Sequence, residues 1–290
     1  MRSERRRLGP NVEQIIGPQG GRYPDGNPLE VRAGESVVLL DSALHLNPTA
    51  ADLLLLSHFH EDHVVGAGRR LGPTAIHEKD AEPLRNWEQF ALEMGFARGD
   101  WESEIREVFD WSPVSDVETF SDDAVFDLGG GVTATVVPMP GHTAGHCGFL
   151  IEPDGVLFLA DVDLSAFGPL YSDRSASLAD MRRTVEACAQ IEARAYATFH
   201  HKGSFLDRGE YLDALTRYAG MMDAREARVL DLLTSGVSRV EDMVGAGVLY
   251  RPGARPKFAD DMERAVCVKH LDDLARRDLV LSDEAGFRLA

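Results

Sequence analysis

The chain has 290 residues, of which 44% are hydrophobic, and a formal charge of −18 at pH 7. That apolar content suffices for a buried core and excludes wholesale disorder. The negative surplus disfavours contact with nucleic acid or an anionic membrane unless a basic patch is concealed within it.

The N-terminus is basic, but Leu8-Gly9-Pro10-Asn11 interrupts it before any apolar run. No signal peptide is expected from this pattern. The longest apolar runs, at about five residues, are too short to span a bilayer. Three cysteines, Cys147, Cys188 and Cys267, are widely spaced. An odd count without Cys-x-x-Cys argues against a disulfide framework, and a reducing cytoplasm is the expected compartment.

In chain order, residues 36–41 and 52–57 read as buried strands, the first ending on Asp41 and the second leading into a run of histidines. Residues 81–95 and 102–109 carry amphipathic helical spacing, and Trp87, Phe90 and Met94 either lid a site or pack that helix down. Residues 131–137 are β-branched and alternating, hence a strand. Residues 155–160 and 195–199 are two more strands, meeting Asp161 and His200. Ser177 is the expected N-cap of a helix running to about residue 193, and residues 211–222 form another.

A boundary is expected near Asp223, dividing the chain into domains 1–222 and 223–290. The second part reads as helices over 225–234, 240–244 and 258–277, then a hairpin of 279–281 and 286–289. That is the outline of a winged helix. Residues 225–290 hold eleven Lys and Arg against twelve Asp and Glu, a net of −1. Such a module is not an evident phosphate-binding surface, and a tail that walls the pocket is the preferred reading.

Four strands run into potential metal ligands: His58, His142, Asp161 and His200. Ligands on loops at one edge of a rigid sheet define a concave site. In His58-Phe59-His60-Glu61-Asp62-His63, the His58-x-His60 spacing lets two imidazoles share one ion, while Asp62 and His63 face a second. With His142, Asp161 and His200 there are seven candidate ligands, enough for two ions. Isolated His45, His77 and His270 are read as surface residues, and Glu61 as an outward-facing carboxylate.

This run resembles the His-x-His-x-Asp-His signature of metallo-β-lactamase-fold hydrolases. Asp41 resembles the family's structural first-motif Asp. Pro140-Gly141-His142-Thr143-Ala144-Gly145-His146 resembles its Pro-Gly-His-Thr-x-Gly-His stretch, Leu159-Ala160-Asp161 falls at its bridging Asp, and Phe199-His200-His201 at its last His ligand. The resemblance spans residues 17–202. It implies an α/β, four-layer αββα fold, with a small winged-helix-like C-terminal domain similar to that of one branch. It also implies one metal on His58, His60 and His142, a second on Asp62, His63 and His200, and Asp161 bridging, with His201 the alternative to His200. His146 would support the site, and Cys147 would pack in the core. Two zinc ions are implied, with iron or manganese possible. The implied chemistry is hydrolysis by a bridging hydroxide, with Asp62 the catalytic carboxylate.

Phe167, Tyr171 and Lys202 are candidate substrate contacts. The expected substrate is a small-molecule thioester, lactone or other ester. A phosphodiesterase or endoribonuclease of the same fold is the alternative, and a non-enzymatic winged-helix regulator the third reading. No membrane partner is expected, and a homodimer is possible.

Overall fold

A computed structural model describes residues 4–95, 101–201, 203–251, 253, 256–284 and 286–290. Two β-sheets face each other. The first takes β1 (Glu4–Arg7), β2 (Val12–Ile16), β3 (Leu29–Ala33), β4 (Ser36–Leu40), β5 (Leu53–Leu56), β6 (Thr74–His77) and β7 (Glu118–Phe120) in sequence order. The second is ordered β13 (Ser204–Phe205), β12 (Ala195–Ala197), β11 (Val156–Phe158), β10 (Cys147–Glu152), β9 (Val132–Pro138) and β8 (Val125–Gly129). β4 to β7 are parallel neighbours, as are β11 and β12.

The strand periodicity of two explains the layers. On β4 and β5, Val38, Leu40 and Leu55 point between the sheets, whereas Leu39, Leu54 and Leu56 point outward. The outward set packs against α1 (Ala81–Arg85), α2 (Trp87–Met94) and α3 (Trp101–Phe109) through Leu84, Phe90, Ile105 and Phe109. On β11 and β12, Phe158 and Ala197 face inward, while Leu157 and Tyr196 face α4 (Leu178–Cys188) and α5 (Arg208–Thr234). Both faces of each central strand are thus covered, so these strands read as apolar runs rather than as alternation. The result is the expected αββα arrangement.

Two expected helices need correction. The helix expected over 81–95 is two helices, because Asn86 is extended (φ −155°, ψ 152°) and caps α2 by accepting from Gln89 N at 2.9 Å. α4 begins after Ser177, whose side chain accepts from Asp180 N, but ends at Cys188. Asp223, near which a domain boundary is expected, lies within α5, one helix of 27 residues. No Gly or Pro interrupts residues 221–234, and the buried stripe continues from Tyr211 and Tyr218 through Met222 to Val229, Leu232 and Leu233. These side chains share one core cluster with Leu271 and Leu274 of α7 (Ala259–Arg276).

Beyond α5 lie α6 (Val240–Met243), α7 and an antiparallel hairpin of β14 (Val280–Asp283) and β15 (Gly286–Leu289). Among the described residues, no helix is long and apolar enough to cross a membrane.

Candidate metal centre

The seven candidate ligands gather at one edge of the sheets, in the loops that follow β5, β9, β11 and β12. His58, His60, His142 and Asp161 form one group, and Asp62, His63 and His200 a second, with one ligand atom of each residue within 4.8 Å of the others in its group. Asp161 lies between the two. Its Oδ2 is 3.3 Å from His142 Nε2, and its Oδ1 is 3.0 Å from His63 Nε2 and 3.7 Å from His200 Nε2. Each group joins the two sheets, because residues 58–63 follow the first sheet's β5 while His142, Asp161 and His200 follow strands of the second.

The backbone is shaped to deliver these groups. Asp41 ends β4 in the left-handed region (φ 62°), a conformation Asp tolerates through local hydrogen bonds. Its carboxylate accepts from Ser57 N and Ser57 Oγ, both at 2.7 Å. Gly141 has φ 129°, and a Cβ there would stand 2.4 Å from Met181 N on α4. Only glycine lets the loop carrying His142 pass so close to that helix.

Outer hydrogen bonds fix the tautomer of every ligand imidazole. Asp41 also takes the Nδ1 proton of His63 at 2.8 Å. Because Ser57 Oγ donates to Asp41, it accepts from His58 Nδ1, at 2.9 Å. His142 Nδ1 donates to Leu170 O and His200 Nδ1 to Gly21 O, both at 2.9 Å. His60 is reversed: its Nε2 donates to Asp173 Oδ2 at 2.6 Å. Each ring therefore turns its remaining nitrogen inward, where it offers a lone pair to an ion that displaces any proton held there.

This donor set fits divalent ions. His60 Nδ1 and His142 Nε2 lie 3.0 Å apart, close enough to share either a proton or a metal ion between them. His58 Nε2 is buried without a hydrogen-bond partner, and buried polar atoms of that kind call for one. His63 Nε2 and Asp161 Oδ1 are near each other yet also lack a bond of proper geometry. Imidazoles with carboxylates are the ligands of zinc, iron or manganese sites.

The local field is consistent with cation binding. Burial alone would raise the carboxyl of Asp161, but His63 and His200 hold it well below the usual carboxylate range. Burial disfavours a charged His60, yet Asp173 pushes it up to about 9. The same opposition, with Asp161 and Asp62 as the anions, pushes His200 up to about 9. His146 is pushed down to about 3, first by burial and then by His142. It is neutral, donating from Nδ1 to Met139 O and accepting at Nε2 from the backbone N–H of Asp161 at 3.2 Å. It thus holds the residue at the centre of the site.

The groups lie at the floor of a pocket of about 550 Å³. α3 supplies one wall with Ile105, Val108 and Phe109, and the C-terminal part supplies another with Tyr250, Phe258 and Met262. Phe167 lines the pocket as expected; Tyr171 does not. Tyr171 is fully buried behind it, its hydroxyl 3.0 Å from His270 Nε2. His201 lines the pocket but stays outside both ligand groups, with its Nε2 3.9 Å from Asp163. Lys202 lies outside the described residues. Met94 reaches the pocket, whereas Trp87 and Phe90 stack on each other in the core under α2.

His77 and His270, expected at the surface, are buried. His77 Nε2 meets Asp122 at 2.9 Å, and His270 meets Tyr171. His45 is half-buried. Glu61 is buried too: it lines the pocket and accepts from the Tyr23 hydroxyl at 3.0 Å. Burial, then Asp62, raises its carboxyl above the usual range.

Sequence reasoning missed three supports. Asp173 lies on an aperiodic loop, with no signal at that position. Asp80 accepts from Thr143 Oγ1 and from Gly145 N, fixing the glycine-rich loop beside His142. Arg225 is buried and donates to Phe167 O at 2.6 Å and to Pro169 O, pinning the segment after Asp161 to α5. An arginine within an apolar helical stripe was its one sequence signal.

The sequence profile of the metallo-beta-lactamase superfamily matches residues 26–220, and the chain belongs to that superfamily. Its members are mostly hydrolases, and membership with this ligand set supports a metal-dependent hydrolase. No curated protein matches the chain by sequence. Among solved structures, a metallo-beta-lactamase family protein of Thermus thermophilus is similar, at TM-score 0.75 and 20% identity, over 98% of this chain and 100% of that one. A beta-lactamase domain protein of Burkholderia ambifaria aligns at TM-score 0.68 and 15% identity, over 99% and 94%. The subclass B3 metallo-beta-lactamase BJP-1 of Bradyrhizobium japonicum aligns at TM-score 0.55 and 18% identity, over 77% of this chain and 94% of that one. At these identities the likeness is one of fold.

Proposed function

We propose that the protein is a binuclear metal-dependent hydrolase of small-molecule esters, thioesters or lactones, with two zinc ions as its native cofactor. The observation that carries this reading is the position of Asp161, whose two oxygens face two ligand groups at the floor of an apolar-walled pocket. Two ions held there would activate a water and polarise a scissile carbonyl. The chain's own groups would do the rest. Asp62, 3.0 Å from His200 Nε2 and at the pocket surface, is assigned to take the proton of the attacking water. His201 and Phe167 are assigned to the substrate's flank.

A phosphodiesterase or ribonuclease is the second reading, favoured by the helix–helix–helix–hairpin order after residue 225, which resembles a winged helix. Charge weighs against it. Among the described residues, several basic side chains of the tail are engaged within the chain: Arg277 with Glu226 and Asp273, Arg264 with Asp261, Lys257 with Glu104, and Arg228 with Ala246 O. That engagement, and the pocket wall formed by Tyr250 and Phe258, support a structural tail.

The test offers zinc-loaded protein a thioester, a lactone, bis(p-nitrophenyl) phosphate and labelled RNA. Ester-class turnover, lost together with bound metal in His60→Ala and Asp161→Ala, is the expected result. RNA cleavage at physiological salt without ester turnover, or full metal and full activity in both variants, would overturn the reading.

A further inference from the structure

Behind the ligand groups the pocket becomes apolar. Ile105, Val108 and Phe109 of α3 face it from one side, and Tyr250, Phe258 and Met262 of the C-terminal part from the other. Tyr23 joins the two walls, its ring centroid 6.0 Å from that of Phe109 and 6.4 Å from that of Phe258. Lys257 and Glu104, 3.2 Å apart, tie the same two walls together nearer the solvent. The described lining includes the carboxylates Glu61, Glu104 and Asp163 and no lysine or arginine.

We infer that this cleft is an acyl-binding site, and that the preferred substrate carries an uncharged, extended apolar acyl chain seated between α3 and the residues leading into α7. The inference rests on the ester-hydrolase reading and specifies the part of the substrate distant from the reacting carbonyl. A volume of about 550 Å³ lies within the range of about 300–1,000 Å³ that encloses a whole organic ligand, far more than an acetyl group fills. Each methylene that leaves water for such walls strengthens binding about fourfold. A carboxylate on the acyl chain would enter a cleft that already holds Glu61, Glu104 and Asp163 besides the ligand carboxylates Asp62 and Asp161, against like charge and with its hydration stripped. The C-terminal part is then a determinant of specificity: the same residues that close the pocket select the chain.

A ladder with one leaving group tests this. For the zinc-loaded full-length protein, p-nitrophenyl acetate, butyrate, hexanoate and decanoate should show kcat/KM climbing with chain length, and the anionic p-nitrophenyl hemisuccinate should fall below the butyrate. Val108→Trp and Met262→Trp, which fill the cleft from opposite walls, should each lower the decanoate-to-acetate ratio at least tenfold. Calorimetric titration with decanamide and acetamide reads the cleft without hydrolysis, and decanamide should bind more tightly. A flat or falling ladder beside brisk acetate turnover overturns the acyl site and leaves the hydrolase reading intact. Decanamide binding with no turnover of any ester overturns the hydrolase reading and sustains the cleft. Equal affinity for the two amides overturns the cleft.

Discussion

His60 Nε2 lies 2.6 Å from Asp173 Oδ2, and Asp173 is itself almost completely buried. One short contact turns the ring so that its Nδ1, not its Nε2, faces the other ligands. Outer partners of this kind raise the basicity of a ligating imidazole and fix its orientation. Asp173→Ala should weaken metal affinity roughly 10- to 100-fold while the chain still folds. Competition against a chromophoric chelator measures it, and an unchanged affinity would show that Asp173 has no hold on the ligand.

Arg225 reaches across from α5 to the carbonyls of Phe167 and Pro169, with its guanidinium over the rings of Phe167 and Tyr171 at 5.3 and 5.4 Å. Arg225→Met keeps the bulk and strips both carbonyls of their donor. A loss of about 2–4 kcal/mol in urea unfolding is expected, from two charge-assisted bonds and unsatisfied buried acceptors. A loss below about 0.5 kcal/mol would mean that the segment after Asp161 holds itself.

His270 is pushed down to about 4, first by burial, then by Arg225 and also Arg182, against the opposing pull of Glu226 and Asp273. The unfolded chain therefore protonates at this position before the folded one does. Its contribution to stability is whole above about pH 6.5 and is lost as the pH falls from there toward about 4, by an amount on the order of 3 kcal/mol. His270→Gln removes the titration and can keep a bond to the Tyr171 hydroxyl. Its stability curve should be flatter than that of the wild type in that window, and parallel curves would refute the assignment.

Ending the chain after Met222 cuts α5 within a turn of its buried Arg225 and deletes Val229, Leu232, Leu271 and Leu274 from a shared core. Large-to-small changes at such positions cost about 2–5 kcal/mol each, against a total stability of about 5–15 kcal/mol. The truncated chain should be insoluble or unfolded by circular dichroism. A well-folded product would mean that the tail is an appended module after all.

The ligand run, Asp41, the glycine-rich loop around His142 and the strands ending on Asp161 and His200 were legible because type, order and spacing carry them. The Asn86 break in the first helical segment was not. An amphipathic count does not see a side chain leaving the helix to cap the next one. Glu61 was misplaced because a carboxylate next to ligands ordinarily faces water, and only the fold brings Tyr23, thirty-eight residues away, over it. Tyr171 was assigned to the pocket from its nearness to Asp161 in sequence. The fold sends it into the core, where His270 receives it. Asp173 acts through a long-range contact that leaves no local pattern, and the contacts of Arg225 were signalled only by its place in an apolar helical stripe.

Each ligand group draws side chains from both sheets, so a bound ion would be a cross-brace between the two halves of the sandwich. Anything that binds only the assembled state favours it by mass action, by about 2.7 kcal/mol when the free ion stands a hundredfold above its dissociation constant. The lifetime of the folded chain would then follow the supply of metal around it. Chelation would loosen the sandwich as well as silence the site, and scarcity of the ion would reduce the amount of protein along with its activity.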